Sequence, residues 1–203
     1  MKSKSKNWVK KQNKDPFFKK AKLLGYRSRS AFKLIELNKK FHFFSKNINL
    51  LDLGSSPGGW SQVASNEISK GKIISIDIKD MEEIKNVKFF KGNFLNTDLQ
   101  NKIISSFSGK IDVLLSDMAE NTTGNKDLDC IRTNSLCLDV ILFALKLLKE
   151  NGTVISKLFM GQDFNEVKDL AKSKFVKINF FKPESSKDFS KETYIHCKGL
   201  KSL

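Results

Sequence analysis

The sequence contains little cysteine, histidine or proline: three, two and three residues among 203. Its cysteines, Cys130, Cys137 and Cys197, form no C-x-x-C pair, and an odd number is a poor disulfide framework. We therefore expect a reduced, intracellular protein. The two histidines, His42 and His196, lie far apart in the chain, so the sequence predicts no metal site.

Long apolar runs are also absent. The longest purely apolar stretch, residues 140–145, is far shorter than the about 20 residues that a membrane-spanning helix needs. The start of the chain is polar and rich in lysine, so no secretory signal is expected there. Lysines with only a few scattered serines also make a weak mitochondrial transit peptide. We therefore expect a cytoplasmic protein of bacterial type, without a membrane partner.

Acidic residues are scarce in the first part of the chain. Residues 1–40 contain 14 Lys and Arg against two acids, whereas the rest of the chain is close to neutral. This charge predicts a basic flexible arm over residues 1–22, part of which Trp8, Phe17 and Phe18 could anchor, followed by a single domain over residues 23–203. Such an arm is typical of proteins that bind RNA or DNA. A solubilising tail is the alternative, and a membrane surface is a less favoured partner.

Strand-like and helix-like apolar patterns alternate along the rest of the chain. Strands are predicted at residues 48–53, 72–77, 87–91, 111–116, 153–158, 175–181 and 193–198, and helices at 30–39, 59–68, 99–107, 128–150 and 164–174. The longest helix is expected to end at Asn151-Gly152. This alternation, with strands that are apolar throughout, predicts an α/β fold with a doubly wound, mostly parallel sheet. The last two strands have no helix between them, so the C-terminal strand should pair antiparallel.

The first strand runs into a glycine-rich turn, LDLGSSPGGWS at residues 51–61, behind which a helix is predicted to start. Such a turn lets main-chain amides approach a ligand at the carboxyl end of a parallel strand. A dinucleotide-binding turn would have the spacing G-x-G-x-x-G, whereas here Gly54 is followed by Gly58 and Gly59. The spacing argues against NAD and is typical of the loop that holds S-adenosylmethionine in class I methyltransferases. A purely structural turn is the alternative.

Three polar residues follow apolar strands at positions where the ligand of such a sheet is bound. Asp77 could accept hydrogen bonds from both ribose hydroxyls of an adenosine, or it could cap a turn. Asn93 could bind an adenine edge, although asparagine after glycine is equally typical of a turn. Asp117 follows the strand at 111–116 and is expected near the reactive end of the cofactor. A purely structural role in the core is disfavoured, because a buried carboxylate needs a partner.

Five stretches of the sequence together match one protein family: YRSRSAFKL (26–34), LDLGSSPGGWS (51–61), SDMA (116–119), KLFMG (157–161) and SKETYI (190–195). In these stretches the chain resembles the FtsJ/RrmJ-like ribosomal RNA 2′-O-methyltransferases, also called the heat-shock RNA methyltransferase family. The resemblance implies a class I methyltransferase fold and S-adenosylmethionine-dependent methylation of a ribose 2′-hydroxyl. It also implies the target: a uridine in the A-loop of large-subunit ribosomal RNA, in the assembled subunit.

The resemblance further implies a Lys–Asp–Lys–Glu tetrad at Lys33, Asp117, Lys157 and Glu192. A ribose 2′-hydroxyl is a very weak acid, whereas a methyl group on a sulfonium is already activated. The reaction therefore needs alignment and proton acceptance rather than a metal. Lys157 ends an apolar strand, which suits a half-buried general base. Lys33 would hold a phosphate or steer the hydroxyl, Asp117 would orient the base, and Glu192 would hydrogen-bond a lysine.

The residues expected to hold S-adenosylmethionine are Gly54, Gly58, Gly59, Trp60, Asp77, Asn93 and Asp117. Two positions depart from the family pattern. Asn93 stands where the family usually has an acid, so a negative charge is lost there, and Glu120 stands where proline is usual. Because an acid in the cleft would repel phosphates, we expect Glu120 to face away. Arg27, Arg29 and Lys33 are expected to grip RNA phosphates.

The expected partner is ribosomal RNA in the large subunit, bound by a monomeric protein. Within the same chemistry, a tRNA anticodon loop and an mRNA cap are alternative substrates. A non-catalytic RNA-binding factor for ribosome assembly is an alternative from another class, which the presence of all four tetrad residue types disfavours. An NAD-dependent oxidoreductase is disfavoured by the glycine spacing.

Overall fold

The structure, a computed structural model, describes residues 15–120, 123–161, 163–187 and 189–201. Its helices are α1 (Pro16–Leu23), α2 (Ser30–Phe41), α3 (Gly59–Glu67), α4 (Thr97–Ser106), α5 (Lys126–Leu147) and α6 (Phe164–Lys174). Its strands are β1 (Leu50–Leu53), β2 (Ile73–Asp77), β3 (Val87–Lys91), β4 (Ile111–Ser116), β5 (Leu148–Phe159), β6 (Phe175–Phe181) and β7 (Glu192–Leu200).

The strands of the described chain form one seven-stranded sheet with the order β3-β2-β1-β4-β5-β7-β6. Strands β1 to β5 pair in parallel, and β7 runs antiparallel to both β5 and β6. The predicted α/β fold, with its mostly parallel sheet and antiparallel C-terminal strand, is therefore confirmed. The chain runs outward from β1 to β3 and then returns to β4 on the other side of β1. This reversal opens a crevice at the carboxyl ends of β1 and β4.

Helices cover both faces of the sheet because its central strands are apolar on both faces. In β1, Leu51 and Leu53 pack with apolar residues of α4, α5 and α6, whereas Leu50 packs with those of α2 and α3. Successive side chains of a strand point to opposite faces, so this division follows from the unbroken apolar run. None of the helices in the described residues is long and apolar enough to cross a membrane.

The structure differs from the predicted boundary between arm and domain. Residues 16–22, which we assigned to the flexible arm, lie in α1. Asp15 caps this helix by accepting hydrogen bonds from the N–H groups of Phe17 and Phe18. Phe17 packs on Phe32 of α2 at a ring distance of 5.7 Å. Apolar contact thus outweighs the high local charge, and only residues 1–14 of the predicted arm lie outside the described part.

The end of α5 also differs from the prediction. The helix ends at Leu147, so Asn151 and Gly152 lie within β5 rather than at a helix terminus. Leu148 is buried and extended, and it pairs with Ile111 of β4. Packing of Leu148 against the sheet therefore stops the helix before the Asn–Gly signal is reached.

Candidate active site

A cavity of about 280 Å³ lies at the carboxyl ends of β1 to β4. Four of the residues predicted to hold a cofactor line it, each following a different strand: Gly54, Asp77, Asn93 and Asp117. Apolar walls are added by Ile76, Ile78, Phe94, Leu95, Met118 and Leu136. An apolar cleft with a few convergent polar groups is typical of a site for a small organic ligand.

Gly54 brings the glycine-rich turn against the opposite wall of the cavity. Its φ is +75°, and a Cβ atom at this position would lie 2.4 Å from Cγ of Met118. A side chain is therefore excluded by both the backbone conformation and the space. Glycine at this position keeps the turn and Met118 close together, with the main chain bordering the cavity.

Asp77 and Asn93 stabilise the turns on which they lie. The Asp77 carboxylate accepts hydrogen bonds from the N–H groups of Ser56 (2.9 Å) and Lys79 (2.8 Å), one on each oxygen. The amide oxygen of Asn93 accepts one from the N–H of Leu95 at 3.0 Å. The turn-stabilising roles considered for both residues are therefore present. Each of these oxygens has a second lone pair, so contacts with ribose and adenine stay predictions.

The structure does not bring Gly58, Gly59 and Trp60 to the cavity lining. A Cβ atom on Gly59 would lie 2.2 Å from Oγ of Ser28, so Gly59 permits close packing against the start of α2. Trp60 is only 2% exposed, and its Nε1 donates a hydrogen bond to the Ser30 carbonyl at 2.8 Å. These residues join the glycine-rich turn to α2, the helix that carries Lys33.

The tetrad predicted from the sequence comes together beside the cavity. Nζ of Lys157 lies 2.8 Å from Oδ1 of Asp117 and 3.8 Å from Oε2 of Glu192, and it donates to the Asp117 carbonyl at 2.6 Å. Nζ of Lys33 lies 2.6 Å from Oε1 of Glu192. All four side chains are largely buried, with 9 to 16% of their surface exposed. Asp117 belongs to both the tetrad and the cavity lining.

Three neighbouring strands and one helix position these side chains. Asp117 follows β4, Lys157 lies in β5, and Glu192 begins β7, which pairs with β5 so that Phe159 is opposite Glu192. Lys33 reaches the same place from the first turn of α2. Because the four residues come from distant parts of the chain, the order of the strands and the packing of α2 beside them are both needed to bring them together.

The charges of the tetrad determine the state of its acid. Burial alone would raise the pKa of Asp117, but the ammonium groups of Lys157 and Lys33 outweigh it and hold this pKa below its ordinary value. The phenol of Tyr194 donates a hydrogen bond to Oδ1 of Asp117 at 2.6 Å. Burial, together with Asp117 and Glu192, raises the pKa of Tyr194 well above its ordinary value, so the phenol remains a donor.

Comparison with known proteins places this architecture in one family. The model of the FtsJ-like methyltransferases matches residues 26–200. The chain belongs to the FtsJ-like methyltransferase family. The resemblance inferred from the sequence is thereby confirmed.

Several methyltransferases are similar to this chain over most of their own length. Ribosomal RNA large subunit methyltransferase E of Pelagibacter ubique is 46% identical over 197 residues, which cover 97% of each chain. The crystal structure of a Plasmodium falciparum protein described as a ribosomal RNA methyltransferase is 36% identical, with a TM-score of 0.77 over 86% of this chain and 98% of that one. Human Methyltransferase-like protein 13 in complex with SAH shares the fold, with 14% identity and a TM-score of 0.59 over 83% of this chain and 78% of that one.

Sequence reasoning missed two residues that contact the tetrad of this FtsJ-like chain. Tyr194 lies two positions after Glu192 on β7, so the period of a strand could have placed both on one face. Ser186 donates from Oγ to Oε1 of Glu192 at 2.7 Å. Since Ser186 lies in the long connection between β6 and β7, no periodicity could have identified it.

Both arginines expected to grip phosphates make intramolecular contacts instead. The guanidinium of Arg27 donates to the carbonyls of Glu82 (2.6 Å), Glu83 (2.7 Å) and Pro57 (3.4 Å). Arg29 pairs with Asp15 and donates to the Ser185 carbonyl. Arg27 therefore fastens the glycine-rich turn to the loop after β2, and Arg29 fastens α1 to the connection between β6 and β7.

Two further expectations concern groups that are not paired with the tetrad. The expectation that Glu120 faces away from the cleft is wrong, because this exposed residue is among those that line the cavity. Within the described residues, no group of three or more His, Cys, Asp or Glu side chains is arranged to hold a metal ion.

A buried acid lies behind the glycine-rich turn of this FtsJ-like domain. Oδ2 of Asp52 accepts a hydrogen bond from the Ser61 hydroxyl at 2.6 Å, and Ser61 also contacts the Ser75 hydroxyl at 2.8 Å. Within the described part of the chain, Oδ1 of Asp52 has no hydrogen-bond partner. Burial, opposed by the Ser61 hydrogen bond, raises the pKa of Asp52 to about 7.

Proposed function

We propose that this protein transfers the methyl group of S-adenosylmethionine to a ribose 2′-hydroxyl of large-subunit ribosomal RNA. The target is a uridine of the A-loop in the assembled subunit, and the protein acts as a monomer in the cytoplasm. The observation that carries the proposal is the convergence of Lys33, Asp117, Lys157 and Glu192 beside a cavity that shares Asp117. The substrate is supported by the name of the Pelagibacter ubique relative.

The cavity residues suit S-adenosylmethionine. Asp77 is the acceptor for its ribose hydroxyls, Asn93 meets its adenine edge, and Gly54 exposes the backbone toward it. Asp117 supplies negative charge near the sulfonium end. When bound, S-adenosylmethionine supplies a methyl group on a positively charged sulfur, which needs no metal for activation.

Lys157 is the general base of the proposed reaction. It must be uncharged at the moment when it accepts the proton of the 2′-hydroxyl, and the carboxylates of Asp117 and Glu192 then stabilise the ammonium that forms. Lys33, held by Glu192 at 2.6 Å, positions the hydroxyl or its phosphate. Alignment of the hydroxyl by these fixed groups lowers the entropic part of the barrier.

RNA phosphates would be bound by lysines rather than by Arg27 and Arg29. Lys19, Lys20 and Lys22 are exposed on α1, which packs on the helix that carries Lys33. Each phosphate contact releases counterions, so binding should weaken steeply as salt is raised.

The direct test is methyl transfer from radiolabelled S-adenosylmethionine to large ribosomal subunits that lack the mark. The expected product is one 2′-O-methyluridine, identified by nuclease digestion and mass spectrometry. Lys157→Ala should lower kcat by roughly 100-fold or more, because general acid–base catalysis typically contributes that much. It should still bind S-adenosylmethionine in a thermal-shift assay.

Lys149→Ala is the matched control, since Lys149 also pairs with a carboxylate, Asp112, at 2.7 Å but is half exposed and outside the site. It should keep full activity. Label on a base, or no label despite cofactor binding, would contradict the proposal. If the protein methylates tRNA or a capped mRNA but not large subunits, that RNA is the substrate instead of ribosomal RNA.

A further inference from the structure

Phe189 is the most exposed large apolar side chain in the described part of the chain, with 86% of its surface accessible. It lies in the β6–β7 loop, of which the structure describes residues 182–187 and 189–191, before the strand that begins with Glu192. Burying a phenylalanine normally contributes to stability, and this one contributes none in the isolated protein. Its aromatic ring is therefore available to a partner outside the chain.

Hydrogen bonds fix the first half of the loop to α2. The carboxylate of Glu36 accepts from the N–H groups of Glu184 (2.6 Å) and Ser185 (3.1 Å). Arg29 donates to the Ser185 carbonyl, and Ser186 donates to Glu192 at 2.7 Å. This half of the loop is therefore held against the tetrad itself.

The second half of the loop is fixed as well. The N–H of Ser190 donates to the Lys187 carbonyl at 2.9 Å, and its Oγ accepts from the N–H of Glu192 at 3.2 Å. Nζ of Lys182 donates to the Ser190 carbonyl at 2.8 Å. Phe189 is thus presented to solvent from a loop that is anchored on both sides, which lowers the entropic cost of binding a partner.

The surroundings of Phe189 favour a nucleotide base as that partner. Nζ of Lys187 lies 5.8 Å from the centre of the Phe189 ring, so a cation accompanies the aromatic face. Only Ser190 and Lys191 lie between Phe189 and Glu192, which limits the distance between the Cα atoms of Phe189 and Glu192 to about 11 Å. That span corresponds to a few nucleotides of a stacked strand, at about 3.4 Å each. Unstacked RNA bases are typically bound by exposed aromatic side chains next to cationic groups.

We propose that Phe189 is a stacking platform for an unpaired RNA base that lies within a few nucleotides of the methylated ribose, with Lys187 beside the same nucleotide. This inference rests on the proposed function, because the ribose of the RNA must enter the tetrad. It assigns to the β6–β7 loop two tasks: Ser186 holds Glu192, and Phe189 holds the substrate strand.

The test measures steady-state kinetics with undermethylated large subunits. Phe189→Ala should raise KM for subunits at least about fivefold, since base–aromatic stacking is worth that much, and leave KM for S-adenosylmethionine within twofold of wild type. Phe189→Trp should restore KM for subunits because it keeps an aromatic face, whereas Phe189→Leu should not. The control is Leu142→Ala, which truncates another exposed apolar residue on α5 and should have no effect.

Each outcome decides the proposal. An unchanged KM for subunits in Phe189→Ala would overturn it, and full activity of Phe189→Leu would replace stacking by apolar contact with a ribosomal protein. If wild type does not methylate subunits, the proposed function fails, and Phe189 is then tested with a fluorescent single-stranded oligouridylate. Weaker binding by Phe189→Ala supports stacking in that case, and equal binding overturns it.

Discussion

Two buried aspartates on neighbouring strands of this domain have opposite electrostatic surroundings. Asp117, after β4, is paired with Lys157 and lies near Lys33, which together hold its pKa below the ordinary value despite burial. Asp52, in β1, has only hydroxyl partners, and burial raises its pKa to about 7. Burial alone therefore does not determine the charge of an acid, since its partners decide the outcome.

The difference divides the site into two halves. One half, the tetrad, holds two amines and two carboxylates in close contact. The half behind the glycine-rich turn is held by hydroxyl and backbone hydrogen bonds, and its one buried acid becomes protonated near neutral pH. Substitutions in the two halves should therefore affect different measurements.

The largest effect is expected in the charged half. Asp117→Asn removes the carboxylate that holds Lys157 and should lower kcat by roughly 100-fold or more. Single-turnover methyl transfer at saturating S-adenosylmethionine measures it. Asp112→Asn is the control, because Asp112 pairs with Lys149 at 2.7 Å outside the cavity lining. Equal rates for both variants would show that the tetrad carries no reaction.

A smaller effect, on stability, is expected in the neutral half. The pKa of Asp52 is higher in the folded chain than in the unfolded one, so the folded state binds the extra proton. Its contribution is therefore full below about pH 4 and is lost as pH rises toward 7, by about 2 kcal/mol between pH 4.5 and 6.5. In Asp52→Asn the side chain at position 52 cannot titrate, so this variant does not lose that stability as pH rises.

Urea unfolding at several pH values checks this prediction. The free energy of unfolding of Asp52→Asn, relative to wild type, should rise across that interval. A difference that stays constant with pH would mean that Asp52 remains ionised in the folded protein.

The smallest effect is expected from the hydrogen bonds that hold the glycine-rich turn in place. Arg27→Ala removes the hydrogen bonds between the glycine-rich turn and the loop after β2. KM for S-adenosylmethionine should rise about fivefold with kcat nearly unchanged, since a net hydrogen bond is worth about 1 kcal/mol. Steady-state kinetics at saturating subunits measures it.

Lys91→Ala is the matched control for Arg27, because it removes an exposed ion pair with Asp80 on the same loop. Exposed ion pairs contribute little, so its KM should stay within twofold of wild type. A fall in kcat without a change in KM for Arg27→Ala would contradict the assigned role.

Periodicity was sufficient to predict the sheet, whereas the four tetrad positions were implied by the resemblance to the family. The predicted strands then indicated where two of these residues lie, since Asp117 follows β4 and Lys157 is near the end of β5. The functions of Trp60 and Arg27 could not be predicted, because the motif gives the residue type but not the face on which it lies. The indole of Trp60 donates a hydrogen bond to the Ser30 carbonyl at the start of α2. The guanidinium of Arg27 donates its hydrogen bonds to backbone carbonyls.

Other errors have one physical cause, which is that tertiary packing overrides local signals. The charge of residues 16–22 indicated a solvated arm, yet Phe17 docks on Phe32. The Asn151–Gly152 pair indicated a helix end, yet burial of Leu148 ended the helix earlier. Neither contact can be seen within a window of neighbouring residues.

The close approach of Gly59 to Ser28 restricts which residues can stand at position 59. A single added methyl group at residue 59 would collide with Oγ of Ser28, which contacts Oγ of Ser30 at the start of α2. The packing between the glycine-rich turn and the helix that carries Lys33 would then have to change. Natural variation at this position should accordingly be restricted.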